Sequence, residues 1–299
     1  MKTLIIGGAG YIGSALMDWL PGSDSIDLGW YSPVANPRDF ASLTAAELRE
    51  YDAVILLAGH SSVKACFDPV YSQANNVSNF RNLILKLSPR QKFIYASSVS
   101  VYGQFSGMAT EENETWEPHG NYDLQKTWID KLAKESGLDY YGLRFGTVNG
   151  YSPVLRTDLM VNAMVKSAKE DGVVNVHFGS TRRPILWIVD LCDAVPRILS
   201  SGIREPGIYN VLTLNSTAAE IGQTVARVFD CPCVESSTLA DGTKLRSSNY
   251  DFHASRAKFE RVFNWAPRAG IATIAHDLID NWGKVKHFGR RDESRKYPL

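Results

Sequence analysis

Tyr122 and Lys126 stand four residues apart in Tyr122-Asp123-Leu124-Gln125-Lys126. On a helix that spacing places a phenol and an amine on one face. A free phenol ionises near pH ~10 and is a poor base at neutral pH, but a neighbouring ammonium favours its phenolate. The pair therefore suits removal of a proton from an alcohol while hydride leaves the same carbon. A packed helix aromatic beside a solvated lysine is the plain alternative. Ala96-Ser97-Ser98-Val99-Ser100-Val101-Tyr102-Gly103 supplies hydroxyls able to hold a substrate oxygen, just after an apolar run.

Hydride chemistry needs an acceptor, and the N-terminus offers a place for one. In Ile5-Ile6-Gly7-Gly8-Ala9-Gly10-Tyr11-Ile12-Gly13 the glycines fit both GxxGxxG (Gly7, Gly10, Gly13) and GxGxxG (Gly8, Gly10, Gly13). Such a turn lets the backbone approach a diphosphate, which meets the N–H groups and positive end of the following helix. Asp27, read as the end of the second strand, is placed to bind both ribose hydroxyls and to repel a 2′-phosphate. Leu28, Gly29 and Trp30 follow it with no arginine among them, so NAD is expected rather than NADP. The bland reading of Asp27 is a turn residue.

Strands and helices must alternate to hold these parts. Apolar runs at Thr3 to Ile6, Ser25 to Leu28, Ala53 to Leu57, Lys92 to Ala96 and Tyr140 to Phe145 read as strands. Between them, helical spacing marks Ser14 to Leu20, Ala45 to Glu50, Asn75 to Leu87 and Tyr122 to Lys134. The pattern predicts an α/β chain: a doubly wound parallel (Rossmann) sheet with a smaller α/β C-terminal substrate domain. Further helices are expected at Arg156 to Ala168, Leu191 to Leu199, Thr217 to Val228 and Ile271 to Trp282, with a strand at Pro184 to Val189. Residues 1–150 plus about 186–202 are assigned to the cofactor domain, and 151–185 plus about 203–299 to the substrate domain. The charged tail from Gly289 to Leu299 is expected to be mobile.

Lys plus Arg equal Asp plus Glu at 32 each, so no global field draws the chain to nucleic acid or an anionic membrane. Four cysteines in 299 residues do not make a disulfide framework, and Cys231-Pro232-Cys233 lacks zinc-knuckle spacing, so no metal is expected. Leu4 to Ile6 is too short for a secretion signal and no run is long enough to span a bilayer. A soluble, cytoplasmic protein is the expectation.

With these motifs in order, the chain resembles the extended short-chain dehydrogenase/reductases, especially the NAD-dependent nucleotide-sugar epimerase/dehydratase family. The resemblance runs through Leu57-Ala58-Gly59, Asn76, the serine run ending in Val101-Tyr102-Gly103, Tyr122 with Lys126, Leu143-Arg144-Phe145 and Arg183-Pro184. It ends at Leu245-Arg246-Ser247 and Trp265-Ala266-Pro267-Arg268. By its spacing Ser98 is the substrate-orienting hydroxyl, with Ser97 and Ser100 as alternatives; Tyr122 is the base and Lys126 its activator. Tyr11, Ile12, Leu57, Ala58 and Gly59 are implied at the cofactor, with Asn76 in support. Asn36 stands where many relatives carry an adenine-binding acid. The resemblance assigns Asn162, Arg183 and Arg246 to a sugar-nucleotide diphosphate, and Thr147 to a position where several epimerases carry a substrate-contacting Asn. Ordinary surface charges or ion-pair partners remain the alternative for the arginines, and a helix-face polar residue for Asn162. Trp187, His177 and Trp265 are read as structural.

Val99-Ser100 occupies the place where relatives that eliminate water carry an Asp-Glu pair, which disfavours 4,6-dehydration; the decarboxylase Glu is missing too. The expected activity is therefore NAD-dependent epimerisation of a nucleotide-diphosphate sugar, at C4 through a transient 4-keto sugar. A 4-ketoreductase or dehydrogenase of the same fold is the alternative, and a non-catalytic sensor or scaffold a more distant one. By resemblance, a homodimer is expected through helices containing Asn75–Leu87 and Tyr122–Lys134.

Overall fold

A computed structural model describes residues 1–62, 64–113, 118, 120–236 and 251–289. Six parallel strands form the main sheet: β1 (Thr3–Ile6), β2 (Asp24–Ile26), β3 (Ala53–Leu56), β4 (Lys92–Ser98), β5 (Asp139–Phe145) and, further along the chain, Gly207–Val211. Their spatial order is Gly207–Val211, β5, β4, β3, β1, β2, with Ile5 opposite Ile55 and Ile55 opposite Ile94. β1 and β3 are buried at every position, the pattern of parallel strands covered on both faces.

Successive side chains feed opposite faces. Ile5, Ile55, Ile94, Tyr141 and Leu143 join one core, shared with α1 (Tyr11–Trp19) through Leu16. Leu4, Ile6, Val54, Leu56, Phe93 and Tyr95 join the other. That second core is covered by α4 (Asn79–Ile84) through Phe80 and by α5 (Asn121–Glu135) through Ile129 and Ala133. Before them come α2 (Ala45–Leu48) and α3 (Pro69–Gln73), and α3 runs into α4 through a π-helical turn, Ala74–Ser78. Asp68 caps α3 by accepting from the Val70 N–H, with Pro69 at the first position. That cap puts the helix start six residues before the apolar spacing suggested.

A smaller sheet combines β6 (Thr147–Asn149), β7 (Arg182–Trp187) and a strand at Leu214–Thr217. α6 (Met160–Asp171) and α8 (Ala218–Phe229) pack against it with α10 (Ile271–Asn281) behind them, whereas α7 (Ile188–Ser200) packs against α1 and α9 (Ala257–Phe263) against Gly207–Val211 of the main sheet. One domain limit needs correction. Gly207–Val211, assigned from sequence to the substrate domain, pairs along its whole length with β5 in the main sheet. Its apolar Ile208, Tyr209 and Val211 carry no sign of which sheet they serve. β2 also stops at Ile26, so Asp27 follows the strand rather than ending it. Arg246 and the charged tail from residue 290 lie outside the described residues.

One buried cluster pins α5 to the sheet. Arg144 of β5 donates from Nε to Asp130 Oδ2 at 2.8 Å, and both side chains are almost wholly buried. Tyr95 of β4 donates to Asp130 Oδ1 at 3.0 Å, and Arg144 Nη1 donates to the Tyr102 hydroxyl at 2.8 Å. Removing one partner of such a pair leaves an uncompensated charge, a loss of about 3–5 kcal/mol. Asp130→Ala is therefore expected to lower unfolding stability by that amount in urea denaturation. Replacing both partners together, as Asp130→Leu with Arg144→Met, should cost less than Asp130→Ala alone.

Candidate active site

The glycine turn between β1 and α1 is compact for reasons visible in its contacts. Gly7 has φ +98°, and a side chain there would press on the Ala58 backbone; at Gly13 one would collide with the Gly7 carbonyl. Gly10 differs. A Cβ on it would meet only the Gly7 carbonyl oxygen, at 3.4 Å, and its φ of −84° suits any residue. Nothing inside the protein demands glycine at Gly10; what its bareness leaves open is the cleft at the start of α1. Gly10 caps that helix without a side-chain acceptor, so the first N–H groups and the positive helix end face a ligand, as a diphosphate requires.

The first half of the cleft is lined by Gly7, Gly10, Tyr11, Ile12, Gly13, Asp27, Leu57, Ala58 and Gly59, which brings together most residues expected to hold a dinucleotide. Asp27 accepts from the Ala9 N–H at 3.0 Å and the Gly29 N–H at 2.7 Å, one bond on each oxygen. Asn36 needs correction: it is exposed and does not line the cleft, and Arg38, Phe40, Trp30 and Tyr31 form that wall instead. Asn76 does not line it either. It accepts from the His60 N–H at 2.7 Å and donates to Gln125 at 2.8 Å, which fixes the loop after Gly59.

The second half is lined by Ser97, Ser98, Ser100, Tyr122, Asp123, Lys126, Thr147 and Arg183. It shares Tyr11, Ile12, Leu57, Ala58, Gly59, Ser61 and Arg156 with the first, so the two are one continuous cleft. Ser98 leaves β4 at the start of a short 3-10 turn, Val99–Tyr102, accepting from the Ser100 N–H. Its hydroxyl lies 2.8 Å from Ser100 Oγ, and Tyr122 lines the same half of the cleft.

The electrostatics differ from the simplest expectation. Burial pushes the Tyr122 phenol up to about 12; the Ser98 hydroxyl and the Arg156 charge oppose this, while Asp123 adds to it. Burial also pulls the Lys126 amine down to about 8, opposed by Asp130. Lys126 Nζ donates to the Ala96 carbonyl at 2.7 Å and lies 5.8 Å from the centre of the Tyr122 ring. In the protein alone the phenol is protonated at neutral pH, because desolvation outweighs the Ser98 hydroxyl and the Arg156 charge.

Asn162 is the other correction. It is fully buried and does not line the cleft. Its amide accepts from the Gly150 N–H at 2.9 Å and donates to the Arg156 carbonyl at 2.8 Å and the Tyr11 hydroxyl at 3.2 Å. It shapes the wall from behind. Arg156, which sequence reading passed over, stands at the junction of both halves, bidentate to Asp158 at 3.0 and 2.6 Å and 3.3 Å from Ser61 Oγ. Only its nearness in sequence to Asn162 hinted at a role. Ser97 Oγ is buried with no hydrogen-bond partner among the described residues, and Asp123 is a fully buried acid; both belong to motifs already singled out.

The sequence profile of the NAD dependent epimerase/dehydratase family matches residues 3–211. The GDP-6-deoxy-D-mannose reductase of Pseudomonas aeruginosa is 26% identical over 249 residues, 77% of this chain and 80% of the relative. The UDP-glucose 4-epimerase of Lactobacillus helveticus is 25% identical over 298 residues, 83% of this chain and 90% of the relative. The structure of UDP-glucuronic acid 4-epimerase from Bacillus cereus, in complex with UDP-glucuronic acid and NAD, has the same fold. Its TM-score is 0.77 at 20% identity, covering 94% of this chain and 98% of that one. Because the profile spans more than half of the sequence, the chain belongs to the NAD-dependent epimerase/dehydratase family, enzymes of nucleotide sugars with NAD as cofactor.

Proposed function

We propose that the protein is a nucleotide-sugar epimerase acting at C4 of the sugar. The observation that carries this reading is that Ser98, Tyr122 and Lys126 together line one half of a cleft whose other half is built on the glycine turn. Bound NAD supplies the hydride acceptor. Ser98 holds the sugar oxygen, and Tyr122 takes its proton as the carbonyl forms. With Lys126 fixed to Ala96 on one side, the phenol can return that proton once the keto sugar has turned. Arg183, in the wall of the second half, grips the diphosphate. Val99 and Ser100 bring no acid to the cleft, which supports oxidation and return of hydride over loss of water. Two copies pair through α4 and α5.

A 4-ketoreductase is the second reading, favoured by the likeness to the Pseudomonas aeruginosa reductase and by Thr147 at the epimerase asparagine position. The two separate by cofactor balance. With UDP-, GDP-, CDP- and dTDP-sugars and NAD, an epimerase converts the sugar with no net absorbance gain near about 340 nm, where reduced nicotinamide absorbs. Stoichiometric cofactor turnover with a keto or reduced sugar identifies the oxidoreductase and removes the epimerase reading.

Tyr122→Phe is expected to lower turnover by roughly 10²–10⁴-fold, the usual worth of a positioned acid–base group, with NAD affinity unchanged in titration calorimetry. The sign of the pH dependence follows from the same residue. A phenol raised by burial gains phenolate as pH rises, so sugar oxidation should speed up between about pH 6 and 8. A flat profile in that window, or an active phenylalanine variant, would remove Tyr122 as the proton acceptor.

A further inference from the structure

The adenosine end of the cleft holds two opposite charges side by side. Asp27 faces it with a carboxylate already held by two backbone N–H groups. Arg38 lies next to it: its backbone N–H donates to the Asp27 carbonyl at 2.8 Å, and the residue lines the same wall. The guanidinium is turned to its own neighbours, with Nε donating to Ser42 Oγ at 3.2 Å and Nη2 to Glu47 Oε1 at 2.8 Å. Glu47 is held in turn by Thr44, whose N–H and hydroxyl both donate to Oε2 at 2.8 Å. The bond from the Thr44 N–H, with the Glu47 N–H donating back to Thr44 Oγ1 at 3.3 Å, makes the capping box that starts α2.

We propose that Arg38 is the group through which this cleft can take a 2′-phosphate, and that Glu47, by pairing with it, sets the preference for NAD. The inference rests on the cleft being the NAD site. Both side chains are about two-fifths exposed, at 38% and 40%, and an ion pair in that setting contributes little to stability. Its consequence for a ligand is larger. A 2′-phosphate brings nearly two negative charges to a wall that already carries the Asp27 carboxylate. Among the described residues, Arg38 is the cation beside Asp27 on this wall, Arg156 standing at the junction with the other half, and guanidinium matches phosphate in charge and geometry. While Glu47 offsets that charge and holds one edge of the fork, the phosphate must compete for it. The adenosine ribose of NAD, bearing only hydroxyls there, makes no such demand. Selection against the phosphate thus has two parts: direct repulsion by Asp27, and a counter-ion on the arginine.

The test is titration calorimetry of the full-length protein with NAD⁺ and, separately, NADP⁺. Glu47→Gln suits it because glutamine fills the same place in a capping box, so the start of α2 is kept while the charge is lost. The NAD⁺ to NADP⁺ affinity ratio should fall by about tenfold, through tighter NADP⁺ binding, the worth of one charge-assisted hydrogen bond. Adding Arg38→Ala to Glu47→Gln should abolish that gain, and a matching thermal melt of each variant shows that the fold is kept. Asp27→Asn should shift the ratio in the same direction and add to Glu47→Gln. An unchanged ratio in Glu47→Gln, or a gain that survives Arg38→Ala, overturns the proposal while leaving the NAD site standing. Wild-type protein that binds neither nucleotide overturns both.

Discussion

Asp130 and Arg144 form an ion pair that water scarcely reaches, and the placement of the reactive side chains depends on it. Tyr122, Lys126 and Asp130 follow one another at intervals of four along α5, so they share one face. Asp130 is joined to β4 through Tyr95 and to β5 through Arg144. With that turn of the helix clamped, Lys126 reaches the Ala96 carbonyl and Tyr122 lines the same half of the cleft as Ser98 at the end of that strand. Taking two charges out of water is costly, and an apolar pair often matches such a bridge in stability. What the pair adds here is direction: a carboxylate with a fixed partner on each oxygen cannot slide by a turn, whereas leucine packing tolerates small shifts.

The same burial that makes the clamp costly also governs the proton chemistry. Desolvation acts on Tyr122 and Lys126 in opposite senses, raising the phenol and lowering the amine, so that both are pushed toward their neutral forms. The protein alone therefore presents a protonated phenol, ready to donate. Its use as a base requires positive charge in the cleft, and Arg156 and Lys126 are the resident cations placed to supply some of it. A site poised as an acid and convertible to a base suits a reaction in which one group must take a proton and later return it.

What was legible in the sequence was what local geometry dictates. The glycine turn, the Tyr122–Lys126 spacing and the buried strands follow from short-range rules, and the structure has each of them. What was not legible depended on where distant segments meet. Asn162 has the residue type of a ligand contact, but Gly150, Arg156 and Tyr11 converge on it and use its whole amide. Asn36 sits two residues from Arg38, yet only the latter lines the cleft, its backbone being tied to Asp27. Gly207–Val211 joins the main sheet after the chain has crossed the smaller one, and apolar residues look alike in either sheet.

The loop after β2 shows how a missing element becomes a binding surface. β2 is a three-residue edge strand, and among the described residues no further strand pairs beside it. Residues 27 to 39 instead run irregularly along the open end of the cleft, bringing Asp27, Trp30, Tyr31 and Arg38 to one wall. Such a loop has no ladder to hold it, so it depends on side chains. Asp27 ties it to Ala9 and Gly29, Ser32 Oγ donates to the Ala9 carbonyl at 3.0 Å, and Glu47 holds Arg38 from the start of α2. Several residues that shape the cofactor wall are thus the ones that keep the loop in place. A substitution there that alters nucleotide preference must also alter the loop's restraints, which is why Glu47, whose capping role glutamine can take over, is the position where charge can be separated from shape.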